Sequence, residues 1–416
     1  MLKVVVASDS FKGSLTSAEV AGNIEKGIRN VCPDCNVVRV SVADGGEGTV
    51  EALRESLGGT LVECYVKDPL GRVIPASYSI VDKGTTAVIE MSAASGLPLL
   101  TPDERNPMET STFGTGELIA DALSRGCRKF LVGIGGSATN DAGMGMLEAL
   151  GWRFLDADGN LLEGCGRSLD KVASIDMSAV NPAVKESEFV VACDVDTPFC
   201  GPEGAAYVFA PQKGASQEMV VDLDRGMNNF ARVVSSFFRR DFVDVPGTGA
   251  AGGLGGAFLV FLDSVLKPGV EMVLDAVGFD DIVRDADLVF TGEGRIDFQT
   301  LKGKTPFGVM KYASRHSVPV YALGGCVSLD GVDGFNMIPR CDVSSDSDGG
   351  SCIGVPGAIA CPGAMRGGGF ELIVPAVTGE YDLEYVMRPD IAALNVNNAA
   401  CSMMYYFMKK RFGYNE

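Results

Sequence analysis

The stretch "LKVVVASDSFKGSLTSAEVAGNIEKGIRNV", residues 2–31, sets the reading of the fold. Its first six residues are a short apolar run rich in β-branched side chains, which reads as a buried strand. A polar turn, "SDSFKGSLT", follows. Val20, Ile24, Ile28 and Val31 then recur at helical spacing behind a Ser17 cap. "VVRVSV" (37–42) and "TLVECYV" (60–66) read as further strands separated by the helix-like "EGTVEALRESL" (47–57). Strand and helix in alternation are the signature of parallel βαβ units.

After "KDPLGR" (67–72) the texture changes. "VIPASYSIVDKGTTAVIEMS" (73–92) offers two strands joined by a Lys83-Gly84 turn with no helix between. From Asp287 the βα rhythm returns in "DLVFTGEG", "VMKYASRH" and "VPVYALGG". The fold class expected is α/β. Residues 1–68 and 288–416 form a discontinuous flavodoxin- or Rossmann-like parallel-sheet domain, and residues 69–287 an inserted mixed α/β domain. Cys326 to Gly369, rich in Gly, Ser, Cys and Pro, reads as irregular loop.

At 416 residues the chain is long enough for two cores. Its 35 basic against 54 acidic side chains give a formal charge of −19, with no basic run, which argues against nucleic-acid and acidic-membrane partners. No apolar segment is long enough to span a bilayer, and "MLKVVVASDS" is too short an apolar start for a signal peptide. The expected location is cytoplasmic. There the 12 cysteines, "CPDC" (32–35) included, read as free thiols. His316 is the only histidine, at the end of a helix, so acid–base work falls to carboxylates or lysines.

Five strand-end loops combine glycine with Asp, Glu, Lys, Ser or Thr. In open α/β sheets ligands sit outside the carboxyl ends of the strands. "SDSFKGS" holds Asp9, Ser10 and Lys12, with Lys12 able to neutralise phosphate or simply to be solvated. "VADGGEGT" holds Asp44 and Glu47, which could hold Mg²⁺, accept a hydroxyl proton, or cap a helix. "GIGGSATNDAGMG" (133–145) matches neither familiar nucleotide fingerprint and lacks a lysine, yet its glycines could turn N–H groups toward a phosphate. "CDVDTPFCGPEGAAYVFAPQKGA" (193–215) carries Asp194 and Asp196 on one side of an extended backbone, and Lys213 further on. "TGEGRIDFQTLKGK" (291–304) carries Glu293, Arg295 and Asp297, with Arg295 suited to clamping a carboxylate or to a structural ion pair. "PGTGAAGGLGGA" (246–257) reads as a glycine run for close packing. Clustered carboxylates, a few cations and no catalytic histidine suit phosphoryl transfer, which needs positioning, charge neutralisation and one base.

Taken in order, "DSFKGSL", "VADGGEGT", "GIGGSATNDAG", "CDVDTPFCGPEGAA", "FAPQKGA", "GAAGGLGGA", "LKPGVE" and "ADLVFTGEGRID" make the chain resemble the bacterial glycerate kinases of the glycerate 2-kinase type. The resemblance runs from residue 9 to about 325, with Ser8, Ala142 and Thr197 standing where the family often has proline, glycine and asparagine. It implies ATP-dependent phosphorylation of D-glycerate, usually at the 2-hydroxyl, with Mg²⁺, in a cleft between the domains. On that basis Asp194 is the expected base with Asp44 as runner-up, and Lys12 neutralises transferring charge while Arg295 holds the substrate carboxylate. Gly135, Gly136, Ser137, Thr139, Asn140 and Lys213 are expected on ATP, and Asp9, Ser10, Glu293 and Asp297 on glycerate. Asp44, Glu47 and Asp196 are expected on the metal. The alternatives are the 3-hydroxyl as acceptor, or binding of a sugar acid or nucleotide without catalysis. A homo-oligomer stays open.

Overall fold

The computed structural model describes residues 1–46, 48–297, 300, 303–328, 336–337, 359–360, 370–377 and 382–413. Two compact units emerge: Met1–Asp44 with Val273–Glu416, and Gly45–Met272. The boundaries read from sequence stood at 68/69 and 287/288. Strand Thr60–Lys67 pairs antiparallel with Val73–Val81 and so lies in the sheet of the second unit. Asp68 closes the turn between them, its Oδ1 accepting the N–H groups of Leu70 and Arg72, both at 2.9 Å.

In the first unit, strand Lys3–Ser8 lies between Asn36–Ser41 and Leu288–Asp297, all parallel. Val320–Ser328 and Leu372–Pro375 extend the parallel sheet. Numbered along the chain, the five strands stand in the order 2-1-3-4-5, the doubly wound order whose switch point lies between the first and third strands. Asn336–Met337 and Ile359–Ala360 add a short antiparallel edge within the stretch expected to be irregular. Helix Ser17–Val31 buries Val20, Ile24 and Ile28 on the sheet. Its N-cap is Thr16, in a reciprocal capping box with Glu19, rather than Ser17. Ser17 Oγ instead donates to the Ser8 carbonyl at 2.7 Å and ties helix to strand. Helix Pro389–Phe412 packs against Ser17–Val31 so closely that a Cβ on Gly27 would meet the Asn397 carbonyl oxygen at 2.5 Å. Cys32 and Cys35 are joined by a disulfide, not free, because the turn after the helix brings their Cα atoms to 5.5 Å. Cys341, Cys352 and Cys361 lie outside the described residues.

The second unit carries a six-stranded sheet. Val265–Lys267, Glu188–Ala192, Lys129–Gly133 and Thr86–Glu90 are parallel neighbours, and Val73–Val81 and Thr60–Lys67 continue it antiparallel. An α/β parallel sheet with a second, mixed sheet is the architecture expected. Phe130 and Phe189, stacked at 4.7 Å, lead an aromatic core. Four strands therefore end on one edge of this sheet, where the loops after Gly133 and Ala192 begin. Among the described residues no helix is long and apolar enough to cross a membrane.

Candidate active site

At the switch point of the first sheet, the strands ending in Ser8 and continuing past Gly292 bring Asp9 and Glu293 to neighbouring positions. Asp9 N–H donates to the Gly292 carbonyl at 2.9 Å. Its carboxylate accepts the Ser10 N–H at 2.7 Å and the Thr305 hydroxyl at 2.9 Å, and the residue is 7% exposed. Burial pushes its carboxyl up to about 6, helped by the charge of Asp44. Glu293 accepts the Thr300 hydroxyl and is also 7% exposed. Burial raises it to about 7, against that hydrogen bond and the charge of Lys304. Lys12 is exposed, with Nζ 3.7 Å from Asp44 Oδ2. Arg295, also exposed, holds Asp297 at 3.3 Å. His316 caps helix Thr305–Arg315, its Nε2 3.2 Å from Asp280. Glu47 lies outside the described residues.

In the second unit the glycine loop leaves strand Lys129–Gly133 and is pinned to the segment after Met91. Leu97 N–H donates to the Gly136 carbonyl at 2.9 Å, and Ala138 N–H to Ser95 at 3.0 Å. Gly136 sits at φ +74°, in the left-handed region that glycine enters freely. Gly135 and Gly136 are exposed, whereas Ser137 to Asn140 are buried. The N–H groups of Gly135, Gly136, Ser137, Thr139 and Asn140 donate to no group among the described residues. The buried Thr139 Oγ1 and Asn140 Oδ1 also lack partners there. A run of undirected donors on a short, glycine-bearing backbone is the makings of an anion nest.

Three features support this loop. Lys213, 1% exposed, donates from Nζ to Ser137 Oγ and to the Thr139 carbonyl, both at 2.7 Å. Burial lowers its ammonium to about 7, with the charge of Asp141 acting the other way. Asp141 is fully buried and accepts four bonds, from Thr112 N–H (2.8 Å) and Oγ1 (2.7 Å) and from Gly143 and Gly145 N–H (3.1 Å each). It thereby satisfies the start of helix Met144–Ala149. The Ala250–Phe261 segment presses its glycines on the loop from below, and Ala142 N–H donates to Gly252 O at 3.0 Å. The close packing read into that glycine run is therefore found. Asp194 and Asp196 are exposed past Ala192, with Asp194 Oδ1 accepting Gly269 N–H at 3.0 Å.

Asp141 was seen in the glycine loop but given no role by sequence, and Thr112, Thr300 and Thr305 were not singled out. The signal for Asp141 was present, an Asp three residues before a helix start, and Thr305 stands before Pro306 at another.

Backbone donors without partners among the described residues thus lie past the carboxyl ends of parallel strands, the place where ligands of open α/β sheets bind and where a phosphotransferase class of site could be built. The pattern of the glycerate kinase family matches residues 4–337. A glycerate kinase of Bacillus subtilis (strain 168) is 47% identical over 346 residues, which cover 81% of this chain and 91% of the relative. A glycerate 2-kinase of Escherichia coli (strain K12) is 46% identical over 329 residues, 79% of this chain and 86% of the relative. A crystal structure from Salmonella typhimurium LT2, described as a candidate glycerate kinase 2, superposes with a TM-score of 0.81 at 38% identity and covers 99% of both chains. The chain belongs to the glycerate kinase family, and it is a phosphotransferase.

Proposed function

We propose that this kinase transfers the γ-phosphoryl group of ATP to the 2-hydroxyl of D-glycerate, giving 2-phosphoglycerate. The observation that carries the reading is that the N–H groups of Gly135, Gly136, Ser137, Thr139 and Asn140 have no partner among the described residues. Such donors suit the oxygens of a polyphosphate, whose charge they meet without reorganisation. Asp194, exposed and held by Gly269, is the group that takes the hydroxyl proton. Arg295 and Ser10 bind glycerate, the guanidinium on its carboxylate.

The exposed carboxylate of Asp196 fits Mg²⁺, which commonly uses one or two protein carboxylates together with substrate phosphates and water. No group of three or more His, Cys, Asp or Glu ligands gathers among the described residues. When bound, the ion neutralises phosphate charge.

Phosphorus NMR of the reaction with D-glycerate, ATP and Mg²⁺ tests the reading. It should yield ADP and 2-phosphoglycerate. A 3-phosphoglycerate signal would overturn the regiochemistry, and ATP left intact would overturn the activity.

A further inference from the structure

The glycine loop contains no lysine, yet a lysine lies behind it. Lys213 belongs to the short turn Pro211–Lys213, and its ammonium is directed into the loop and away from solvent. No carboxylate lies within ion-pair distance of it among the described residues. A buried ammonium with no direct ion-pair partner is costly to keep and is a candidate for a functional role.

The geometry indicates the task. Ser137 Oγ accepts an N–H from Lys213, so its own O–H is free to donate only to something else. The Thr139 carbonyl also turns inward to the ammonium. Across a planar trans peptide the N–H of Asn140 points opposite to that carbonyl. One buried cation thus draws two acceptors of the loop inward, Ser137 Oγ and the Thr139 carbonyl, while the Asn140 N–H has no partner among the described residues.

We infer that Lys213 is a positioning residue for phosphate binding, supplying the loop's charge from behind the backbone and orienting the Ser137 hydroxyl and the Asn140 N–H as donors. The inference rests on the reading that this loop receives the phosphates of ATP. Asp141 is the one charged group acting on Lys213 among the described residues.

The test is Lys213→Met, which keeps the length of the stem but removes both hydrogen bonds and the charge. The KM for ATP should rise by roughly tenfold or more, as for loss of other preorganised donors, with the KM for glycerate little changed. Ser137→Ala should also weaken ATP binding, and adding it to Lys213→Met should cost less than the two separate effects combined. In the unmodified protein, ATP binding should weaken as pH rises through about 7, where Lys213 loses its proton. A folded Lys213→Met protein with unchanged ATP affinity would overturn the inference. Should that variant not fold, unchanged affinity in Ser137→Ala together with a flat pH profile would do the same. Hydrogen exchange separates the two layers: if ATP leaves the amides of residues 135–140 unprotected in the unmodified protein, the phosphate-loop reading itself falls.

Discussion

A Cβ on Gly252 would stand 2.1 Å from the carbonyl oxygen of Thr139. The two glycine-rich segments therefore meet backbone to backbone, and Gly252 also holds φ +68°. Gly252→Ala should cost about 2 kcal/mol or more, from strain and overpacking together. It should raise the KM for ATP as well, because the displaced atoms belong to the loop proposed to receive the phosphates. Urea denaturation alongside ATP kinetics checks both effects, and a variant of normal stability would show that the contact yields.

Ala142 is fully buried at φ +53°, a conformation unfavourable for any residue with a Cβ. Ala142→Gly should relieve about 1–2 kcal/mol of backbone strain while losing some of that gain to the more flexible unfolded chain. A net stabilisation of up to about 1 kcal/mol is expected, read as a higher urea midpoint at unchanged slope.

Glu293 carries a carboxyl raised to about 7 in the folded protein. The folded state then binds the proton more tightly than the unfolded chain. The associated stability is fully present below the unfolded value near 4.3, and is lost as pH rises through about 7. Glu293→Gln removes the charge but keeps an acceptor for Thr300. It should stabilise the protein at pH 8 by on the order of 1–3 kcal/mol and change it little at pH 4.5. Urea melts of both proteins at the two pH values decide the matter. Equal differences at both would show that Glu293 does not titrate in this range.

Arg295 is 66% exposed in its side chain, and its ion pair with Asp297 is worth little to stability in that setting. Arg295→Ala should leave the melting temperature nearly unchanged. The KM for glycerate should rise about tenfold or more with the KM for ATP preserved, since a carboxylate clamp acts on one substrate only. A variant with normal glycerate kinetics would assign Arg295 to the surface.

Much of this was legible along the chain because local periodicity is local physics. The strand at Lys3–Ser8, the helix at Ser17–Val31 and the renewed rhythm from Leu288 all follow from hydrophobic spacing. Which strands pair was less legible. Thr60–Lys67 has the same apolar character whether it joins a parallel or an antiparallel neighbour, and only pairing with Val73–Val81 assigns it to the second sheet. Candidate site residues such as Asp9, Glu293 and Lys213 stood out by type and by nearby glycine. Their burial did not, because Lys, Glu and Asp are ordinarily exposed, and the groups that bury them come from distant segments. The N–H groups of the loop that lack partners among the described residues were also hidden, since peptide orientation is set by contacts such as those with Ser95, Leu97 and Lys213.

The discontinuity of the first unit has a bearing on synthesis. Ser8 and Gly292 meet in the finished sheet although 284 residues separate them along the chain. At about 5–20 residues per second, a ribosome takes some tens of seconds to deliver the partner strand. Until then an apolar central strand, Lys3–Ser8, emerges with one edge unsatisfied. The nascent chain is most exposed to mispairing at its beginning, and what shields that edge during translation bears on the yield of active enzyme.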